Sequence, residues 1–223
     1  MKFSLSQRIV AELLGTAFLV AAIVGSGIMG ERLSDGNTAI ALLANAVATG
    51  AALTALILAV RPISGAHLNP VVSMAEALRG GIARKEASFY VAAQICGAIA
   101  GAACGDIMFS LPAFSVSSHA RTGAPQWFSE FVATFGLIFV IRMVARFAPH
   151  QLALAVAAYI VAAYWFTSST SFANPAVTIA RSLSDTFAGI RPADVPAFLA
   201  AQLAGGFSAV FVSDWLSVRS SEA

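Results

Sequence analysis

Six long apolar stretches divide the chain. Residues 9–29 hold one charge, Glu12, and residues 127–141 hold only Glu130. Residues 38–60, 87–105, 152–167 and 195–213 hold none. A helix needs about 20 mainly apolar residues to cross about 30 Å of hydrocarbon. The pattern predicts six crossing helices, with 127–141 and 152–167 near the lower length limit. The polar–apolar alternation of a membrane β-barrel is missing. The first stretch is too long for the apolar core of a signal peptide, and it lacks a small-x-small cleavage site before the next helix.

Short polar-edged segments between the stretches occur twice. NPVVSMAEAL at 69–78 and NPAVTIARSL at 174–183 agree at five of ten places, 105 residues apart. AAQICG at 92–97 matches AAQLAG at 200–205, and Asp106 and Asp214 keep that offset of 108. AELLGT at 11–16 matches SEFVAT at 129–134. The order is the same in both halves: Glu-bearing helix, long helix, Asn-Pro segment, Gln-bearing helix. Three crossings per half make the halves enter the membrane in opposite senses, an inverted-topology repeat common in transport proteins. One domain of 1–223 is expected, with repeat one at about 1–110 and repeat two at about 126–223. Gly97, Gly101 and Gly105, echoed by Gly205 and Ala209, form small-xxx-small faces that let helices approach closely in lipid.

Charged residues make up 11% of the chain, against about 25% in a soluble domain. That deficit is too large for a water-facing surface. With the N-terminus inside, the inner segments hold Lys2, Arg8, Arg61, Arg79, Arg84, Lys85, Arg142, Arg146 and Arg219; the outer ones keep Arg32, Arg121, Arg181 and Arg191. Nine against four follows the positive-inside rule with both termini cytoplasmic. A multi-pass protein of the inner (plasma) membrane is expected. Cys96 and Cys104, eight apart in one apolar stretch, read as small packing residues rather than a disulfide or metal pair.

Each Asn-Pro pair reads as a helix start. Asn is a strong N-cap, and Pro is favoured at the first helical position, where its missing N–H costs nothing. Pro70 and Pro175 thus open helices over about 69–79, stopped by Gly80-Gly81, and about 174–185. At about 1.5 Å per residue each covers roughly half a bilayer, so both are expected to be re-entrant half-helices with N-termini meeting near the midplane. Residues 64–68 and 168–173 lead there as extended chain. Backbone of that kind is tolerated at depth only where protein buries it or it lines a wet cavity. A pore is expected, lined by Asn69, Asn174, Ala66, His67, Phe172 and Ala173. Each helix N-terminus carries roughly +0.5 charge, which opposes cations, and the Asn amides can donate to a passing oxygen.

These segments resemble the major intrinsic protein family, the aquaporins and aquaglyceroporins. SGAHLNP at 64–70 matches the family's first signature and Asn174-Pro175-Ala176 the second, and the likeness extends over essentially the whole chain. It implies an aquaporin-like, all-α membrane fold of six transmembrane helices and two half-helices. It implies a homotetramer in lipid with one pore per subunit, and passive passage of small neutral solutes. It also implies that Glu12 and Glu130 support the half-helices by accepting backbone N–H bonds, rather than relaying protons. His67 is expected to pack against its loop with its carbonyl toward the pore.

One position departs from the family. In most members an Arg directly follows the second Asn-Pro-Ala; here Val177 stands there. Counting back from the Asn residues gives Thr49, Ala162 and Ser171 as the rest of that selectivity ring, which then holds no aromatic, His or Arg. Small side chains make a wide filter. The solutes expected are glycerol, urea and metalloid hydroxides such as arsenite, with water; TSFANPAVTIAR at 170–181 is similar to a bacterial branch associated with arsenic handling. The short 109–126 loop and Thr178 point instead to a water-selective channel. Arg181, one turn beyond Val177, lines the outer vestibule or pairs with Asp185.

Other classes fit less well. An ion-coupled carrier also uses inverted repeats and half-helices, but would show saturation and coupling. A scaffold has no use for paired Asn at pore depth. No nucleophile, metal, phosphate-loop or nucleic-acid motif appears, so neither an enzyme nor a cofactor is expected.

Overall fold

The computed structural model describes residues 3–217. Eight α-helices follow one another: α1 (Leu5–Leu33), α2 (Thr38–Ser64), α3 (Pro70–Leu78), α4 (Arg84–Met108), α5 (Ala124–Phe147), α6 (Leu152–Phe166), α7 (Pro175–Arg181) and α8 (Val195–Ser217). Short 3-10 turns at Pro149–Gln151 and Pro192–Asp194 lead into α6 and α8. With those turns, six of the helices are long and apolar enough to cross a membrane. Among the described residues the fold is all-helical, as the apolar pattern predicts. The fourth stretch gains length because α5 runs on through Arg142 and Arg146. Those two side chains turn to the end of α8, where Arg142 pairs with Asp214 and Arg146 donates to the Ser217 carbonyl.

Helix starts follow local chemistry. Ser4 and Gln7 form a reciprocal capping box on α1, and Asn37 accepts from two N–H groups of α2. Gly65 ends α2 in the left-handed region at φ 94°, where a Cβ would be strained. That turn sends the chain back into the bundle toward Asn69.

The two short helices lie inside the ring of long ones. α3 packs on α4 and α8; α7 packs on the same two helices. At about 1.5 Å per residue they are only some 14 and 10 Å long. The first ends where expected. The second stops at Arg181, four residues before Asp185. Its last carbonyl, Arg181 O, accepts from Ile190 N, and the residues beyond it are bonded to the α4–α5 loop: Ser117 N donates to Ser182 O at 3.0 Å, Ser115 N to Leu183 O at 2.9 Å, and Asp185 N to Ser115 Oγ at 2.9 Å. The α4–α5 loop thus competes successfully with another helical turn.

Charges separate between the ends of the bundle. At one end Arg8 meets Glu86 at 2.7 Å, Arg79 and Arg142 share Asp214, and Arg61 donates to the Pro149 carbonyl. At the other, Arg32 donates to Phe109 O and Arg121 and Arg181 are buried in loop contacts. Lys2 and Arg219 lie outside the described residues. Cys96 and Cys104 are free and exposed on the outer face of α4, so they do not pack within the chain. One residue on from each, Gly97 and Gly105 face α1 instead.

Those glycines set the spacing of the helix pairs. A Cβ on Gly97 or Gly101 would run into the Leu13 or Ala17 carbonyl of α1, and one on Gly205 into the Phe131 carbonyl of α5. Backbone cannot yield as a side chain does, so the helices would have to separate. Gly97→Val and Gly205→Val are each expected to lower the yield of monodisperse, detergent-extracted protein several-fold. Cys104→Val, on the exposed face of the same helix, is expected to leave it unchanged.

Candidate functional site: a cavity between two helix tips

Asn69 and Asn174 cap α3 and α7 with their side-chain oxygens. Asn69 Oδ1 accepts from Val71 N at 2.9 Å; Asn174 Oδ1 accepts from Ala176 N at 3.0 Å. Pro70 and Pro175 occupy the first helical positions. The amide nitrogens then cross between the halves. Asn69 Nδ2 donates to Ala173 O and Asn174 Nδ2 to Leu68 O, each at 2.8 Å. A primary amide has two N–H donors, so one on each Asn is left over. The tips therefore meet and hold each other.

The loops leading to the tips are strained in the same way. Ala66 and Leu68 have φ 54° and 49°; Ser171 and Ala173, at the same distances from the second Asn, have 52° and 48°. Non-glycine residues held there cost about 1–3 kcal/mol each. What holds them is a carboxylate. Glu12 accepts from His67 N at 2.9 Å and Leu68 N at 2.7 Å; Glu130 accepts from Phe172 N and Ala173 N, both at 2.9 Å. Gln94 Nε2 links Glu12 to Ser73 of α3, as Gln202 Nε2 links Glu130 to Thr178 of α7. Both carboxylates are fully buried. His67 stays beside its loop, its Nδ1 3.0 Å from Ser73 Oγ and its ring edge-on to Tyr90.

Turning those amides toward the Glu side leaves carbonyls facing the other way. The Ala66, His67, Ser171 and Phe172 carbonyls accept no hydrogen bond among the described residues. All four residues line a cavity of about 390 Å³, together with Asn69, Asn174, Ala173 and Val177. The cavity reaches from Arg61 to Thr49 along α2, about 18 Å of helix axis. Its remaining walls are largely apolar, among them Leu19, Ile23, Leu53 and Ile160. A file of acceptors on one side of an apolar passage, with two amide donors at its middle, suits small uncharged hydrogen-bonding solutes.

Known proteins resemble this chain in sequence and in fold. The sequence model described as Major intrinsic protein matches residues 1–148. The chain belongs to the major intrinsic protein family. It is 51% identical to "Aquaglyceroporin AqpS" of Rhizobium meliloti (strain 1021) over 215 residues, 96% of this chain and 92% of that protein. It is 35% identical to "Aquaporin NIP1-4" of Oryza sativa subsp. japonica over 190 residues, 82% of this chain and 68% of that one. The aquaglyceroporin structure from Plasmodium falciparum superposes with TM-score 0.77 over 96% of this chain and 98% of that one, at 23% identity; at that identity it speaks to the fold alone. As a major intrinsic protein the chain is a multi-pass membrane channel, not an enzyme.

At the level where this family narrows, the structure revises the ring inferred from the sequence. Thr49, Ser171 and Val177 line the cavity; Ala162 does not, and is exposed on the outer face of α6. Tyr164, two residues on and so about 200° round the helix, lines it instead. The count failed because it assumed a fixed length for the turn between α6 and Asn174. The Tyr164 hydroxyl lies 3.2 Å from Thr49 Oγ1, which ties the ring to the α2 wall. Arg181 also lines the cavity. It is no open vestibule residue and does not reach Asp185: its side chain is buried, its Nε donates to Ala188 O, and its guanidinium lies over the Phe172 ring. Asp185 bonds Ser118 instead.

A second cation, in the sequence only one of the outer loop charges, joins Arg181. Arg121, from the α4–α5 loop, is buried and sits 5.0 Å from the same Phe172 ring. Burial brings its guanidinium down to about 10, still charged at neutral pH. Nothing local in the sequence separates it from an ordinary loop Arg.

Gln in place of Glu keeps one acceptor oxygen and turns an NH2 toward a loop N–H, so at least one charge-assisted bond is lost, about 1.5–3 kcal/mol. Glu12→Gln and Glu130→Gln are each expected to lower the thermal midpoint of the purified protein by several degrees. The ratio of water to glycerol permeability in protein that survives should change little. Proton-coupled uptake lost in either variant would contradict this.

Proposed function

We propose that this chain is a passive channel for small uncharged solutes larger than water: glycerol, urea and metalloid hydroxides such as arsenite, with water passing as well. The observation that carries the reading is Val177. In most of the family an Arg at that place narrows the passage; here an apolar side chain lines it beside Thr49 and Ser171. Tyr164 adds one aromatic to this wall, its hydroxyl bonded to Thr49. The name of the 51% identical relative, an aquaglyceroporin, supports the same class. The two repeats, at about 1–110 and 126–223, supply one half-helix each. Asn69, Asn174, His67, Ala66, Phe172 and Ala173 form the conducting wall, and Thr49, Ser171 and Val177 the filter. The expected assembly is a homotetramer in the inner membrane. Both termini are cytoplasmic, which puts the end bearing Arg8, Arg61, Arg79 and Arg142 inside.

Proteoliposomes holding only this protein test the reading by comparative uptake of water, glycerol, urea and arsenite. The wild type is expected to pass all four. Flux should rise nearly linearly with concentration, whereas an ion-coupled carrier would saturate. Val177→Arg is expected to cut glycerol and arsenite uptake tenfold or more while water permeability falls by less than half. A wild type that passes water yet excludes glycerol and arsenite would leave the water-selective alternative standing.

A further inference from the structure

Two buried guanidiniums flank one aromatic ring at the Tyr164 end of the cavity, and neither bonds a carboxylate among the described residues. Arg121 is satisfied by backbone: Nε donates to Gly189 O, Nη1 to Ser169 O and Nη2 to Phe187 O. Arg181 is not. Its Nε meets Ala188 O, but its Nη1 is buried without a partner. The Ser171 hydroxyl is likewise buried and unpartnered. Arg181 and Ser171 line the same cavity. Thr49 and Tyr164 share one hydrogen bond between two hydroxyls, so one hydroxyl hydrogen remains there too. Val177, which lines the same cavity, adds no charge of its own.

A neutral solute could take one of these donors without balancing the charge. A buried cation is stabilised best by an anion that also accepts its hydrogen bonds. The nearby carboxylate of Glu130 cannot serve, because its oxygens are engaged by Phe172 N, Ala173 N and Gln202. We propose that the Arg181 guanidinium and the Ser171 hydroxyl, whose Nη1 and Oγ are covered in this structure, turn toward the lumen to bind a small, singly charged oxyanion or carboxylate near Tyr164. Arg121 adds to its positive field. The bound anion sits in the path of the neutral solute, so it slows that solute's passage.

Formate is the probe, and gluconate, too bulky for the site, is the control at equal ionic strength and neutral pH. In detergent-purified wild type, formate is expected to raise the thermal unfolding midpoint saturably, as a ligand of the folded state does, and gluconate is not. Arg181→Gln should abolish the formate effect. Ser171→Ala should raise the half-saturating concentration several-fold. If Arg181→Gln yields no folded protein, Ser171→Ala and Arg181→Lys decide: the lysine should respond to formate more weakly than wild type. In proteoliposomes, external formate should slow glycerol entry at least twofold, saturating in the same range. Equal responses to formate and gluconate, an Arg181→Gln protein that responds like wild type, or an unchanged Ser171→Ala curve would each overturn the site. So would a midpoint shift with no effect on glycerol entry into vesicles whose wild-type protein passes glycerol. A wild type that passes no glycerol at all sinks the neutral-solute reading alone, because the thermal measurement does not depend on it.

Discussion

Four loop N–H groups converge on two buried carboxylates, and the passage exists because of that convergence. Ala66, Leu68, Ser171 and Ala173 are left-handed without being glycine, a conformation that an isolated chain would leave. Glu12 and Glu130 each accept from two successive amides. Bonds to a charged acceptor, at about 1.5–3 kcal/mol apiece, are of the size needed to offset that strain. The amides are thereby fixed on one side, and the carbonyls of the same peptides are left on the other. The geometry that buries a charge and the geometry that lines the lumen are the same geometry.

The surroundings of each carboxylate also say what it does not do. Glu12 Oε1 accepts from Ser64 and His67 N, and Oε2 from Leu68 N and Gln94. Neither Glu12 nor Glu130 lines the cavity. A proton carrier needs an oxygen that can be reached from the passage and released again. These oxygens are saturated by donors that gain from the negative charge. Support of the loops is the role that costs the fold least, because the charge is matched by the bonds it makes.

Sequence periodicity carried the architecture, since both the helices and their order follow from where charge is excluded and where it returns. The Asn-Pro duplication was legible for a similar reason: capping chemistry is local, and the two tips are what that chemistry builds. Contacts set by loops were not legible. The misplacement of Ala162 arose from a count across residues 167–173, where a shift of two positions moves a residue to the opposite side of α6. Where α7 ends early, the residues that follow bond Ser115 and Ser117, more than fifty residues away in sequence. Cys96 and Cys104 looked like packing residues because they are small, yet the glycines beside them took the packed face. Arg121 was counted only as a loop charge, since nothing near it in the chain shows that Phe172 awaits it.

On the proposed reading, a single helical step along α7 separates two duties usually joined in one side chain. An Arg at position 177 would narrow the passage and place its charge at the same level. Val177 narrows it less and carries no charge, while Arg181 lies four residues further along α7, about 6 Å of helix rise. In the proposed channel a cation entering from this end would meet the fields of Arg181 and Arg121 and then of the two helix N-termini, each of which raises its energy in a low-dielectric passage. A neutral solute would meet hydroxyls and an apolar wall beside Val177 and the guanidinium beyond it. On that reading width and field are set by different residues, so excluding cations does not require a tight constriction.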